Sequence, residues 1–177
     1  GEALVAAFVS LYSLFNDSAK QRTLRYARGE VLDAIGDRLN VYRLQSESAS
    51  ATFRFTASAA ISENIVIPAG TRITSDGSVY FATQEAAVLP AGSLYVDILG
   101  VCINGGSIYN GFAAGTIATL VDLIPFIAGA VNTTDSSGGD DGEPYTTDGD
   151  NKLRERIRLA PSALSTAGPE NSYRYFA

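Results

Sequence analysis

The chain has 177 residues, 46% of them hydrophobic and 18% charged, with a formal net charge of −6. A chain of that length buries roughly 70% of its unfolded surface, so a core needs no staple, and the composition is globular rather than disordered. The acidic excess argues against a phosphate-tracking nucleic-acid surface, and the absence of histidine removes the commonest general base and metal ligand.

Residues 2–44 read as helices. Leu4, Val5, Phe8, Val9, Leu11, Tyr12 and Phe15 recur at three- and four-residue spacing and form a broad apolar face. The stretch 3–15 is too short to span a bilayer, is interrupted by Ser10 and Ser13, and follows no basic region of a signal peptide. A soluble chain with no direct membrane insertion is expected. Asn16 and Asp17 are predicted to interrupt this helix. A second is predicted over 18–28, carrying Lys20, Arg22, Arg25 and Arg28, and a third over 30–39, with Val31, Leu32, Ile35 and Leu39 on one side.

From Ala49 the period changes to two: Phe53 and Phe55 face one way, Thr52, Arg54 and Thr56 the other, as in a half-buried strand. Further strands are predicted at 64–67, 71–74, 79–83, 86–89, 93–103, 116–121 and 126–131, with a tight hairpin turn at 75–78. About seven short strands suggest a sandwich or a mixed sheet. The single cysteine, Cys102, lies in the apolar run 98–103, which excludes an internal disulfide and suits a small buried strand residue. One phrase recurs as Ile67-Pro68-Ala69-Gly70-Thr71, Leu89-Pro90-Ala91-Gly92-Ser93 and, more loosely, Phe112-Ala113-Ala114-Gly115-Thr116. Pro68 and Pro90 suit the second position of a type I turn, and Gly70, Gly92 and Gly115 the fourth, so each phrase can end one strand and launch the next.

Residues 134–150 read as a polar linker, rich in turn-forming residues. A helix is predicted from about Asp150, with Leu153, Ile157 and Ala160 on one face, until Pro161 ends it. The division expected is therefore α+β: N-terminal helices over 1–45, a mostly antiparallel β domain over 46–133, the linker over 134–150, and the start of a truncated helical region over 151–177. Methionine is absent even at position 1, and 173–177 stops without a helix-ending signal, so an excised piece is expected. Residues 51–133 hold only two basic and five acidic residues, and sheet faces so poor in charge should be covered by another sheet or by partners.

Candidate chemistry is sparse. Asp140, Asp141, Glu143, Asp148 and Asp150 supply the oxygen ligands calcium needs, but not at EF-hand spacing; a solvated linker with Asp148 and Asp150 favourably near a helix start is the competing reading. Glycoside hydrolysis would need one of these acids in an apolar cleft. The serines and threonines lack a histidine to activate them, and neither Gly105-Gly106 nor Gly138-Gly139 is followed by the residues of a phosphate loop. Lys152, Arg154, Arg156 and Arg158 spread around a helix as a solvated face with some partner contacts, and Arg154, Arg156 and Arg158 are the candidate partner-binding residues. Tyr80, Phe81, Tyr95, Tyr109 and Phe112 suit cross-strand packing better than a sugar-binding surface. No catalytic residue, metal ligand or cofactor is expected.

The order of the pieces carries a resemblance. Helices containing Gly29, Leu32, Asp33, Gly36, Leu39 and Arg43 precede a Phe-rich strand, the turn at 67–71, the Phe81 strand and a second Pro-Ala-Gly turn. Gly106-x-x-x-Asn110 follows, then Asn132 leading to Gly138-Gly139-Asp140 and an Arg-rich helix. Over nearly its whole length the chain resembles the baseplate J-like proteins of contractile-tailed phages and related injection machines. The resemblance implies a non-catalytic wedge component, assembled in the bacterial host cytoplasm and located in the tail baseplate of the virion. Its partners would be other wedge and tail proteins, with self-association in a ring around the tail tube that rearranges on triggering. The competing class is a calcium- or carbohydrate-dependent adhesion module, which a calcium-dependent rise in thermal stability would reveal.

Overall fold

The computed structural model describes residues 1–163, which form two units. One holds residues 1–45 together with the chain from Gly142 onward; the other, Ser46–Asp141, lies between them in chain order. The part of the expected C-terminal region beyond 163 lies outside the described residues.

In the helical unit, α1 spans Glu2–Lys20 and runs straight through Asn16 and Asp17. The predicted break fails because these residues cost a helix only about 0.7 kcal/mol each, while the Asp17 carboxylate accepts hydrogen bonds from Gln21 Nε2 (2.9 Å) and Arg28 Nη2 (2.6 Å). The predicted helix over 18–28 is instead the end of α1 followed by turns. Thr23 caps the Lys20 carbonyl through both its hydroxyl (2.9 Å) and its backbone N–H (3.0 Å). Beyond it, Arg154 takes the Leu24 and Ala27 carbonyls that further helix would need.

Helix α2 spans Gly29–Asp37, ending two residues before its predicted limit, and α3 spans Thr147–Ala163. Leu32, Val41, Leu153, Ile157 and Ala160 meet in one apolar cluster, so helical regions more than a hundred residues apart share a core. Gly36 lies in this contact, where a Cβ would meet the Val41 carbonyl oxygen at 2.5 Å and Ile157 Cδ1 at 3.1 Å. The α3 helix begins earlier than predicted because Thr146 caps it, accepting the Gly149 N–H on its hydroxyl (3.3 Å) and the Asp150 N–H on its carbonyl (2.9 Å). Pro161 does not end it. The ring removes one backbone donor, and the helix continues to Ala163 with Ile157 and Ala160 held by burial just before the proline.

The other unit is built on eight strands: β1 (Ser48–Ala57), β2 (Ile65–Ile67), β3 (Arg72–Thr74), β4 (Tyr80–Thr83), β5 (Ala87–Leu89), β6 (Tyr95–Gly105), β7 (Thr119–Leu120) and β8 (Ile127–Asn132). All pairings are antiparallel. Six strands form one sheet in the order β7-β3-β4-β6-β1-β8, and β2 pairs with β5. The two edges of the large sheet approach each other. Just before β7, the Ile117 carbonyl accepts the Asn132 N–H of β8 (3.1 Å), and the Asn132 side chain accepts the Ile117 N–H (2.8 Å). The sheet is thus nearly closed into a barrel, which leaves it little exposed edge, rather than stacked as a sandwich.

The alternation along β1 is as predicted: Phe53 and Phe55 are fully buried, while Arg54 stands outside against its register partner Asp97. Phe53 tilts against Phe81 at 5.7 Å between ring centres, and Phe81 meets Phe112 edge-on at 6.2 Å. Each such ring contributes about 1.5–3 kcal/mol by leaving water. Gly100 leaves room for the Phe53 ring, which a Cβ there would approach to 2.5 Å. Cys102 lies opposite Phe81 and is buried, and loss of water pushes its thiol above the usual range.

Candidate functional site

The three repeated phrases form turns of the same kind, in a different register from the one predicted. The Ser93 N–H bonds to the Pro90 carbonyl (3.0 Å) and the Thr116 N–H to the Ala113 carbonyl (3.1 Å); in the first phrase the Thr71 hydroxyl bonds to the Pro68 carbonyl (2.8 Å). Pro68 and Pro90 therefore stand first and the glycine third, not second and fourth. Gly70, Gly92 and Gly115 have φ of +79°, +80° and +86°, while the alanines before them do not have positive φ, which is the type II pattern.

The acidic run 135–150 is less wet than its composition suggests. Asp141 accepts the Ser107 N–H (2.7 Å) and hydroxyl (2.8 Å), and Asn110 clamps Gly139 by donating to its carbonyl and accepting its N–H, both at 2.7 Å. The Gly106-to-Asn110 and Gly-Gly-Asp motifs are thus two sides of one joint. Ser136, Glu143 and Asp150 are buried. Glu143 accepts the Leu44 N–H (3.0 Å) and pairs with Arg156 (2.7 Å), while Asp148 pairs loosely with Lys152 (3.4 Å). Among the described residues no three potential ligands converge as a metal site would require.

Arg43 organises the helical unit. Its guanidinium bonds to Asp33 (2.7 and 3.1 Å), Asp150 (2.8 Å) and the Glu143 and Pro144 carbonyls (both 3.1 Å), and lies 4.4 Å from the centre of the Tyr145 ring. Burial opposes its charge, but the hydrogen bonds and charges of Asp33 and Asp150 outweigh burial and raise its pKa. Tyr145 donates to Asp33 (2.7 Å), a bond that raises the phenol's pKa. Asp150 also accepts the N–H of Gly29, which has a φ of +54°. The signal for this cluster was present in Asp33 and Arg43, but spacing alone did not disclose the partner at 150.

The α3 arginines have different surroundings. Arg154 holds the Leu24 carbonyl (2.9 Å) and the Ala27 carbonyl (2.7 Å), and Arg156 holds the Tyr42 carbonyl (2.9 Å) besides Glu143. Arg158 is exposed and, among the described residues, bonds one turn back to Glu155 (2.6 Å). On the β unit, Tyr95 is exposed beneath Arg54 at 4.1 Å.

A broad apolar surface belongs to α1, no residue of which is buried. Its large apolar side chains, Leu4 to Phe15, are 63–77% exposed. Among the described residues no helix is long and apolar enough to cross a membrane.

A small, nearly closed antiparallel β domain, lying in chain order between the two parts of a helical unit, makes the architecture α+β. Residues 52–139 match the model of the Baseplate J-like protein barrel domain, so this segment of the chain carries that domain. A chain in the cryo-EM structure of the anti-feeding prophage baseplate, six-fold symmetrised, is similar in fold, with a TM-score of 0.52 at 13% identity. The match covers 92% of this chain and 46% of the other, so this chain spans less than half of that protein's length. No curated protein matches the sequence.

Proposed function

We propose that the chain is a non-catalytic structural component of a contractile-tail baseplate, one of the wedge parts that ring the tail tube. The observation that carries this reading is the match of the barrel domain at 52–139. The likeness in fold to a chain of a six-fold baseplate assembly supports it further. The chemistry agrees: the buried carboxylates engage arginines or backbone N–H groups as structural ties.

In this role the β unit is a rigid spacer and the exposed surfaces are the contacts that differ between the extended and triggered tail. Of the three α3 arginines, Arg154 and Arg156 serve chiefly to fix the helix, and docking to an acidic neighbour falls to Arg158. The partners are other wedge and tail proteins and further copies of the same protein, brought together in the host cytoplasm. Tail particles purified from cells expressing the tagged protein test this, with electron microscopy locating the tag. The tag belongs at the baseplate; recovery of the protein free of all tail particles overturns the reading. Arg158→Glu is expected to lower baseplate yield, and an unchanged yield removes the docking role.

A further inference from the structure

We infer that α1 is a self-pairing helix, joining two copies of this chain antiparallel about a two-fold axis near Val9 and Ser10. The inference goes beyond the baseplate reading and does not depend on it.

A helix of 19 residues with no buried side chain lacks the tertiary contacts that stabilise most protein helices. Its large apolar side chains expose on the order of 1,000 Å². That exceeds the roughly 300–600 Å² of the largest patch on a typical monomer and is comparable to one partner's share, about 800 Å², of a standard interface. One helix-sized neighbour is enough to cover it.

The order of residues identifies the neighbour. Leu4, Phe8, Leu11 and Phe15 are spaced four, three and four, the seam of a two-helix coil. An antiparallel copy sets Leu4 opposite Phe15 and Phe8 opposite Leu11, so every layer joins a leucine to a phenylalanine. Flanking the seam, Val5 comes beside Tyr12 of the other copy and Ala7 beside Leu14, again smaller against larger. Such self-complementarity is what a two-fold interface requires, where one patch meets itself. A parallel pair would instead stack phenylalanine on phenylalanine and leucine on leucine. Glu2, Ser10, Ser13, Asn16, Asp17 and Lys20 remain outside the seam. The antiparallel sense also opposes the two macrodipoles and brings the Glu2 end of each helix beside the Lys20 end of the other.

Sedimentation equilibrium of the 177-residue chain tests the pairing, with a dimer expected at micromolar concentration. The double variant Phe8→Glu, Leu11→Glu should weaken that dimer about 100-fold or more, while circular dichroism reports whether the rest of the chain stays folded. A monomeric parent, or a folded variant that dimerises as well as the parent, overturns the inference. Direction is read by mixing Leu4→Cys chains with Phe15→Cys chains under oxidised glutathione; Cys102 is buried and does not compete. A mixed 4-to-15 disulfide is expected, and predominance of 4-to-4 and 15-to-15 disulfides overturns the antiparallel arrangement. A chain that pairs in solution yet occurs in no baseplate keeps this inference and ends the functional reading instead.

Discussion

Replacing Arg43 with alanine is expected to destabilise the helical unit by about 3–5 kcal/mol, the range for breaking a buried ion pair from one side. The Arg43 side chain is only 8% exposed, and of its two carboxylate partners Asp150 is 11% and Asp33 29% exposed. Most of the loss comes from Asp150, which keeps the Gly29 N–H as a donor but loses its neighbouring positive charge. The Glu143 and Pro144 carbonyls lose a donor as well, at about 1 kcal/mol each where water cannot replace it. Arg43→Lys should fall between alanine and wild type, because one ammonium retains the charge but cannot span both carboxylates and the two carbonyls at once. Hydrogen exchange at α2 and α3 reads the opening free energy of this unit separately from the β unit. For a chain of this size the same loss is a drop of roughly 6–20 °C in the midpoint of the helical signal. A loss below about 1 kcal/mol for Arg43→Ala would refute the claim that this guanidinium ties the helices together.

Asn132→Ala should destabilise the β unit by about 1–3 kcal/mol, measured by urea unfolding, because the buried Ile117 N–H loses its partner, while the Ala113 carbonyl keeps Thr116 as a donor. Gly100→Ala should cost about 1–3 kcal/mol through overpacking, and a paired Phe53→Leu should recover part of it, since the clash is with that ring. The hydrogen bonds and charge of Arg72 hold Asp122 at about 2, below the ordinary 3.8. A depressed carboxylate contributes stability that is present above pH 3.8 and is lost as pH falls through about 2; both side chains are over a third exposed, so the contribution is small. Carbon NMR titration should place the Asp122 midpoint near 2, returning toward 3.8 in Arg72→Ala.

Legibility differed between elements for physical reasons. The strand at Phe53 and Phe55 was plain because a period of two survives in any sheet that buries one face. Cys102 was plain because an apolar run leaves little alternative to burial. The break at Asn16 and the helix over 18–28 were misread because propensity is worth tenths of a kilocalorie, whereas Arg154, 130 residues away from Leu24 in the chain, takes the carbonyls there. The repeated phrases announced turns, but their register depended on which carbonyl accepts the closing bond. The candidate arginines were visible as a basic helix; which of them faces a buried carbonyl and which faces water was not, since that depends on where the distant α2 and the turn before it lie.

The sequence by itself determined the local terms: an α+β order of elements, an alternating β core of phenylalanines, turns at the Pro-Ala-Gly phrases, and an apolar stripe on the first helix. These follow from periods and residue chemistry within a few positions of each other. Only the tertiary structure decided that the sheet nearly closes through Asn132 and Ile117, that α2 and α3 share one core, and that a run of acids is buried by Arg43 and Arg156. Those outcomes join residues far apart in the chain, where the deciding energies are desolvation and hydrogen bonding between partners that spacing cannot pair.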